Sequence, residues 1–459
     1  MALDLESQGQ LSLLEQGAWQ TTIRVEPEHR LVVLCKSIPW EQLMAKAKPI
    51  LYEEQGISPD IGRALNLRAH LGIYILQAVH NWTDRWTEEM LRFYFPARIF
   101  CGYLDSTGSL DHTRIEEFRN RFGTKGAELI TQDMLTVAKE FGFTKADDVD
   151  MDTTVQEAGI AHPTEMRLMS RLMKKARTIH KALTSMGRRG LKAIKHIAKE
   201  FSKIEAQYRF YAKTKEKKDK IVRQGVALSE KVLGELSHLV PGTRGFDSLA
   251  GRYQQDVLKV LQLGPQLLGQ ILYWLDTGKV AKDKIVSLWK MAPTAIKKGK
   301  VGKPIEFGRK WVINAYQGGY VLLTAPDNPK ISDQDCVWES LSLHSESFEQ
   351  MPHSYGTDRG MWGQPNLELC LNAGIKTIAI QPRGKAKALV SRRDLQELST
   401  RRIAVEARIS HLKRRGLGKS RMKSDVGDLI SGYRSALSYN LTLIMRDLSL
   451  QPALIAQQP

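Results

Sequence analysis

Three acidic side chains stand where carboxylates could do chemistry: Asp152, Asp358 and Glu406. Cutting and rejoining phosphodiester bonds commonly uses two divalent cations a few ångströms apart, one activating the attacking oxygen and one stabilising the leaving oxygen. Magnesium needs only one or two carboxylates and completes its shell with water and substrate phosphate. A working site therefore asks for few acids, delivered to one point by rigid elements. Asp152 lies in Asp147-Asp-Val-Asp-Met-Asp-Thr-Thr-Val155, where acidic and other residues alternate with the period of a strand. Asp358 ends the strand-like His353 to Thr357 and precedes an Arg359-Gly360 turn. Glu406 sits in a predicted helix over about 393–415, at the edge of an apolar stripe of Leu395, Leu398, Val405, Ile409 and Leu412. Arg402, four residues before Glu406, and Lys413, seven after it, share its side of that helix and would meet a phosphate. Singly these signals are weak, because 50 acidic residues offer many trios and an Arg-Glu-Lys stripe is usually a solvated face. Asp150 points to the same strand face as Asp152 and is its rival.

The elements that must position these residues change character along the chain. At 459 residues, and roughly 100 to 200 per domain, two to four domains are expected. The first, 1–145, reads as helical: Leu65 to Val79 is a nearly continuous apolar helix, Thr83 starts another, and Thr113-Arg-Ile-Glu116 matches a capping box. Arg114, Arg119 and Arg121 follow on that last helix, either touching DNA phosphates or forming a solvated face. After the acidic strand, in 146–165, comes a helical segment, 166–299. Leu168, Leu172, Ile179, Leu183 and Met186 keep helical spacing, Gly187 to Gly190 break it, and Leu191, Ile194, Ala198, Phe201, Ile204, Tyr208 and Tyr211 resume it. Between Arg167 and Arg223 there are 19 Lys and Arg against 4 Asp and Glu. From 300 to 448 strand signals return. A loop at 297–304 leads to Ile305–Ala315, a Gln317-Gly318-Gly319 turn and Tyr320–Leu323; a helix from Pro365 to Asn372, closed by Gly374, precedes a strand, Ile375–Ile380. Strands on both sides of a long helical stretch predict an α/β chain whose mixed sheet is interrupted by an insertion, with a short tail at 449–459.

Charge narrows the partner. Lys and Arg number 68 against 50 Asp and Glu, giving +18 and a pI near 9.6, which favours a polyanion. Apolar stretches such as Leu71 to Val79 fall short of the roughly 20 residues that span a bilayer, so nucleic acid is preferred over a membrane. The N-terminus, with acidic residues and no apolar run, does not read as a secretory signal, and a cytosolic location is expected. Cys35, Cys101, Cys336 and Cys370 lack CxxC spacing and are read as packing residues.

The surroundings of the three acids carry a family resemblance. Asp150-Met-Asp-Thr-Thr-Val-Gln-Glu-Ala-Gly-Ile-Ala-His-Pro-Thr164 resembles the first-strand motif of bacterial insertion-sequence transposases, and Pro304-Ile-Glu-Phe-Gly-Arg-Lys310 is similar to their next hairpin. Tyr355-Gly-Thr-Asp-Arg-Gly-Met361 resembles their second-Asp motif, and Arg402, Glu406 and Lys413 match the Arg-Glu-Lys part of a Tyr-Arg-Glu-Lys motif whose tyrosine position is Ser399 here. Leu-Arg, Trp-Thr-Asp-Arg and Asp-His-Thr-Arg-Ile, between about Leu65 and Arg121, are similar to the family's helical N-terminal domain. The resemblance covers about 60–165 and 300–447; residues 166–299 have only a general likeness to helical insertions in part of the group.

It implies an RNase H-like catalytic domain with Asp152 on the first strand, Asp358 after the fourth and Glu406 on the following helix. These three would hold two Mg2+ ions, with Mn2+ able to substitute, and form the acidic triad of an Asp-Asp-Glu transposase. Water would attack at the element's end and the freed 3′ hydroxyl would then attack target DNA, without a covalent enzyme intermediate. Arg402, Lys413 and Arg359 would contact DNA at the centre; Lys174, Lys175, Arg188, Arg189 and Lys192 of the basic insertion would track phosphates. Implied partners are the terminal inverted repeats, target DNA and a second copy of the chain, in the bacterial cytoplasm at the nucleoid. Two alternatives stay open: a DNA-binding protein of the same fold without activity, and a different RNase H-like nuclease. His162 is read as a structural turn residue and Trp362 as a buried aromatic, against rival readings as a metal ligand and a base-stacking platform.

Overall fold

The alternating acidic stretch forms a strand, β1 (Asp148–Glu157), with Val149 and Met151 fully buried. In the computed structural model, which describes residues 25–53, 66–102, 110–160, 162–187, 191–290, 293–300, 303–380, 382, 391, 401, 404–420 and 422–451, β1 belongs to an α/β chain with a mixed sheet. The other strands are β2 (Thr294–Lys300), β3 (Lys303–Ala315), β4 (Val321–Thr324), β5 (Ser354–Thr357) and β6 (Thr377–Ile380). β1 runs parallel to β5 and β5 parallel to β6, while β4 is antiparallel to the C-terminal half of β3, so the order is β4-β3-β1-β5-β6. The N-terminal half of β3 pairs antiparallel with β2, from Thr294↔Gly308 to Lys297↔Ile305. The stretch expected to be a loop at 297–304 is therefore largely hairpin. Its lysines and glycines hide the strand signal, yet main-chain pairing does not depend on side-chain identity and lysine is common on edge strands.

Two units divide the chain: 1–156 with 310–459, and 157–309. Among the described residues of the first, six helices precede β1: α1 (Arg30–Ser37), α2 (Trp40–Leu51), α3 (Leu67–His80), α4 (Asp84–Phe93), α5 (Phe95–Cys101) and α6 (His112–Glu140). α3 is buried along most of its length, which explains its all-round apolar sequence. Thr83 caps α4 as predicted. The α6 cap lies two residues earlier than expected, at Asp111, whose carboxylate accepts from the Thr113 N–H at 2.7 Å. Arg119 and Arg121 do not form a solvated face. Arg119 pairs with Asp84, its Nη2 2.9 Å from Oδ2, and Arg121 donates twice to the Leu51 carbonyl at the end of α2. Arg114 is exposed beside Glu117.

The second unit is built from α7 (Glu165–Ser185), α8 (Lys192–Phe210), α9 (Lys215–Leu236), the short α10 (Arg244–Asp247) and α11 (Gly251–Thr277). Leu168, Leu172, Ile179, Leu183, Ile194, Ala198 and Phe201 are buried as their spacing requires. Met186 and Tyr211 follow the ends of α7 and α8 and are 40% and 75% exposed, so the stripe is shorter than predicted. Thr164 caps α7 by accepting from the Arg167 N–H.

The first unit is completed by α12 (Cys336–Phe348), α13 (Gln364–Asn372), α14 at 404–412 and α15 (Ser424–Leu450). A π-helical turn, Lys413–Leu417, follows α14, and Gly416 takes φ 126° there. α15 packs on α3, α6 and β4, and the helices before β1 share one hydrophobic core with the sheet. The approach is closest at Gly432, where a Cβ would stand 2.0 Å from the Trp311 ring of β3.

Candidate active site

The β1–β5 register brings two of the three predicted acids together. Asp148 to Met151 pair with Ser354 to Thr357, so Asp152 and Asp358 are the next residues on adjacent parallel strands. Cross-strand neighbours at one register position project to one face of the sheet. Asp152 accepts the Thr153 N–H at 2.6 Å, and Asp358 caps a short 3-10 turn (Arg359–Met361) by accepting the Arg359 N–H at 2.7 Å. Both aspartates are partly exposed. Asp358 follows the fifth strand in chain order, not the fourth, because β2 adds a strand ahead of it.

Asp150 lies one step back on the same face, 3% exposed. It faces Gly356, where a Cβ would come within 2.7 Å of its Oδ1, so only glycine leaves the carboxylate its space. Arg401 takes that carboxylate: Nη2 donates to Oδ1 at 3.0 Å and Nε lies 2.7 Å from Oδ2. The same guanidinium reaches Asp148 at 3.2 Å and the Ser354 hydroxyl at 3.1 Å. Burial raises the Asp150 pKa, with Arg401 opposing it, so the ion pair is what keeps a charge acceptable there. Arg408 is also near Asp150, and burial lowers its pKa.

Arg401 thereby ties the helical segment that carries Glu406 to β1. Val405 and Leu412 are fully buried in the same core, whereas Glu406, about 100° further round the helix than Val405, is exposed. Arg401 was missed in the sequence, although its place four residues before Val405 and seven before Arg408 puts it on the buried side. Asp152, Asp358 and Glu406 do not form a cluster with ligand atoms within 4.8 Å of one another. Among the described residues such a cluster is formed by Glu88, Asp111 and His112, and its oxygens serve other ends. Glu88 accepts from the main chain and Nδ1 of His112, and Asp111 caps α6.

The remaining predicted residues fall into three groups. Arg402, Arg188, Arg189 and Ser399 lie outside the described residues. Arg359, Lys174 and Lys192 are exposed, and Lys413 is half-buried. Lys175 is turned to its own unit, with Nζ 2.6 Å from Asp256 and over the Trp289 ring. His162 stands edge-on to Phe307 at 5.4 Å, and Trp362 is half-buried against the core with its carbonyl accepting from Gln334.

Charged residues of the N-terminal motifs have structural partners. Arg68 lies 3.2 Å over the Trp40 ring, Asp84 is the partner of Arg119 and of Gln77, and Asp111 is the α6 cap. Comparison with known proteins bears on this region. Residues 20–121 match the family model described as Transposase domain (DUF772), which begins well before the motifs legible by eye. An uncharacterized protein, ORF8 in the nfe locus of Rhizobium meliloti, is 29% identical over 157 residues, covering 31% of this chain and 69% of that protein. No solved structure matches. No helix among the described residues is long and apolar enough to cross a membrane. The domain match supports a transposase, a DNA-processing enzyme, as the coarse reading of the chain.

Proposed function

We propose that the chain is an Asp-Asp-Glu transposase that cuts DNA at the ends of an insertion sequence and joins the freed 3′ end to target DNA. The observation that carries the reading is the parallel register that makes Asp152 and Asp358 neighbours where the pairing of β1 with β5 ends. The sheet order β4-β3-β1-β5-β6, with β4 antiparallel to β3, β1 parallel to β5 and β5 parallel to β6, supports an RNase H-like core. Asp150 being engaged by Arg401 favours Asp152 as the ligand.

The donor set fits a hard cation: two adjacent partly exposed carboxylates, with a third on the helical segment that Arg401 fastens to the same strand. Asp152, Asp358 and Glu406 would hold Mg2+, or Mn2+ in its place. When bound, the ions would activate the attacking oxygen and neutralise charge on the leaving one. The protein's own part is positioning. The strands fix the two aspartates, and Glu406 completes the set when the helix and DNA close on them. In cleavage, water adds to phosphorus and the 3′ oxygen leaves with a proton; in joining, that hydroxyl adds to a target phosphorus and displaces a 3′ oxygen. Arg402, Lys413 and Arg359 would orient the backbone, while Lys174, Arg188, Arg189 and Lys192 would contact flanking phosphates; two copies would hold two ends.

Incubating the protein with a labelled element end and magnesium tests this. Asp152→Ala, Asp358→Ala and Glu406→Ala should each abolish cleavage while DNA affinity is retained, since each removes a carboxylate and no phosphate-binding group. Full cleavage by any one of them removes that residue from the site.

A further inference from the structure

The first unit contains a cavity of about 860 Å³ that the proposed chemistry does not use. One wall is the end of α3, the turn after it and the start of α4; the other is the π-helical turn after α14 and the outer part of α15. Among the described lining residues are six cations and a single carboxylate, Asp84, which Arg119 already holds. Arg415 donates to the Ser438 hydroxyl at 3.0 Å, and Arg414 and Lys419 are exposed.

Arg434 is the informative member. It extends from the core helix α15, its guanidinium 5.5 Å from the Tyr74 ring, and makes no hydrogen bond or ion pair with a described residue. Burial lowers its pKa and Arg119 adds a like charge, while Asp84, already held by Arg119, offsets this only in part. A largely shielded cation without a carboxylate of its own is costly, and a concave surface lined mostly by one sign of charge concentrates counter-ions. In the described lining, six cations share one carboxylate.

A single inorganic phosphate would leave most of the cavity empty and most of the cations unserved. A strand with successive phosphates would meet Arg434 deep in the cavity, and Arg414 and Lys419 nearer its mouth. Lys413, also in the lining, lies seven residues beyond Glu406, about 10 Å along the helix at 1.5 Å per residue. A backbone seated here therefore continues along the element that carries the proposed third carboxylate. We propose that the cavity is a clamp for one strand of DNA, with Arg434, Arg414 and Lys419 on its backbone phosphates. The proposal rests on the reading that the chain acts on DNA and assigns a holding site away from the reacting bond.

The test is binding of a fluorescein-labelled duplex in EDTA, titrated with salt. Removing one cation from a phosphate should lower the slope of log affinity against log salt by about 0.9. Arg414→Gln with Lys419→Gln should therefore lower it by about two, and Arg434→Met by about one. Arg434→Met should also melt no lower than wild type, because it removes a shielded charge that has no hydrogen-bonded partner among the described residues and keeps the stem; a structural arginine would give the opposite. Should Arg434→Met fail to fold, the exposed double variant carries the test alone. Unchanged slopes in the variants that fold overturn the clamp. So does a melting shift by ATP that Arg434→Met abolishes while DNA binding stays intact, since the cavity would then take a small anion. Because binding is read without metal, the two readings fail separately. Unchanged slopes beside inactive Asp152, Asp358 and Glu406 variants refute only the clamp; lowered slopes beside active carboxylate variants refute only the catalytic reading.

Discussion

Replacing Asp150 by asparagine separates its structural work from the chemistry assigned to Asp152. Asp150 is 3% exposed and is held by Arg401 at 2.7 and 3.0 Å. Removing one partner of a buried ion pair costs about 3–5 kcal/mol, because the other charge is left without compensation. Here Asp148 remains 3.2 Å from the same guanidinium and is itself nearly half-exposed, so the loss should sit at the low end, about 3 kcal/mol. For a unit of this size, about 2 °C of melting temperature per kcal/mol gives a fall of about 6 °C. The assay is a thermal melt paired with cleavage of a labelled element end, measured well below the transition of either protein. Asp150→Asn should melt lower yet cleave at a rate within about tenfold of wild type, that is, within about 1.4 kcal/mol of barrier. Asp152→Asn should melt like wild type and not cleave. An Asp150→Asn protein of normal stability and no activity, beside an active Asp152→Asn, would refute the assignment and make Asp150 the ligand.

Other outcomes follow from particular contacts. Gly432→Ala places a methyl 2.0 Å from a fully buried Trp311 ring on a helix that cannot retreat, so a loss of about 3 kcal/mol or failure to fold is expected; a melt equal to wild type would show that α15 and β3 can part there. His344 is fully buried and burial lowers its pKa to about 4. Its contribution is complete above its ordinary 6.5 and is lost as pH falls toward 4, because only the unfolded chain takes up the proton in that window. His344→Gln should therefore flatten the acid-side stability curve by about 1.4 kcal/mol per pH unit, and superimposable curves would exclude it. Lys174→Gln and Lys192→Gln should each lower the salt slope of DNA binding by about 0.9, whereas Lys175→Met should leave it alone and lower stability, since its ammonium is held by Asp256; equal slopes for all three would void the distinction.

Local patterns carried much of the fold and only part of the site. The period-two acids of β1 and the turn after Thr357 were legible because strand alternation and a chain turn are written in neighbouring residues. Pairing Asp152 with Asp358 was not, since register is set by main-chain bonds between segments far apart in the chain. The α3 helix was readable from apolar length, but its sharing of one core with the sheet depends on Trp311 meeting Gly432. Thr113 looked like a cap because Glu116 follows it; Asp111 prevailed because its carboxylate lies closer to the first free amides. Arg401 is one arginine among many in this stretch, and only its place four residues before Val405 hints that it turns inward.

The net charge of +18 has the same ambiguity, and its resolution limits how strongly DNA binding can depend on salt. Arg119 is bound to Asp84, Arg121 to a helix-end carbonyl, Lys175 to Asp256, Lys310 to Asp333 and Arg401 to Asp150. None of these can release a counter-ion on binding without first breaking its internal pair. The cations left to face a polyanion concentrate on α7, α8 and the start of α9 and around the cavity beside α15. Each phosphate neutralised adds about 0.9 to the salt slope, so the slope reports neutralised phosphates and not formal charge. If it fell by about 0.9 on replacing Arg119 or Lys175, as it should for Lys174, the internal pairs would have to open on DNA and the charge would be as external as composition suggests.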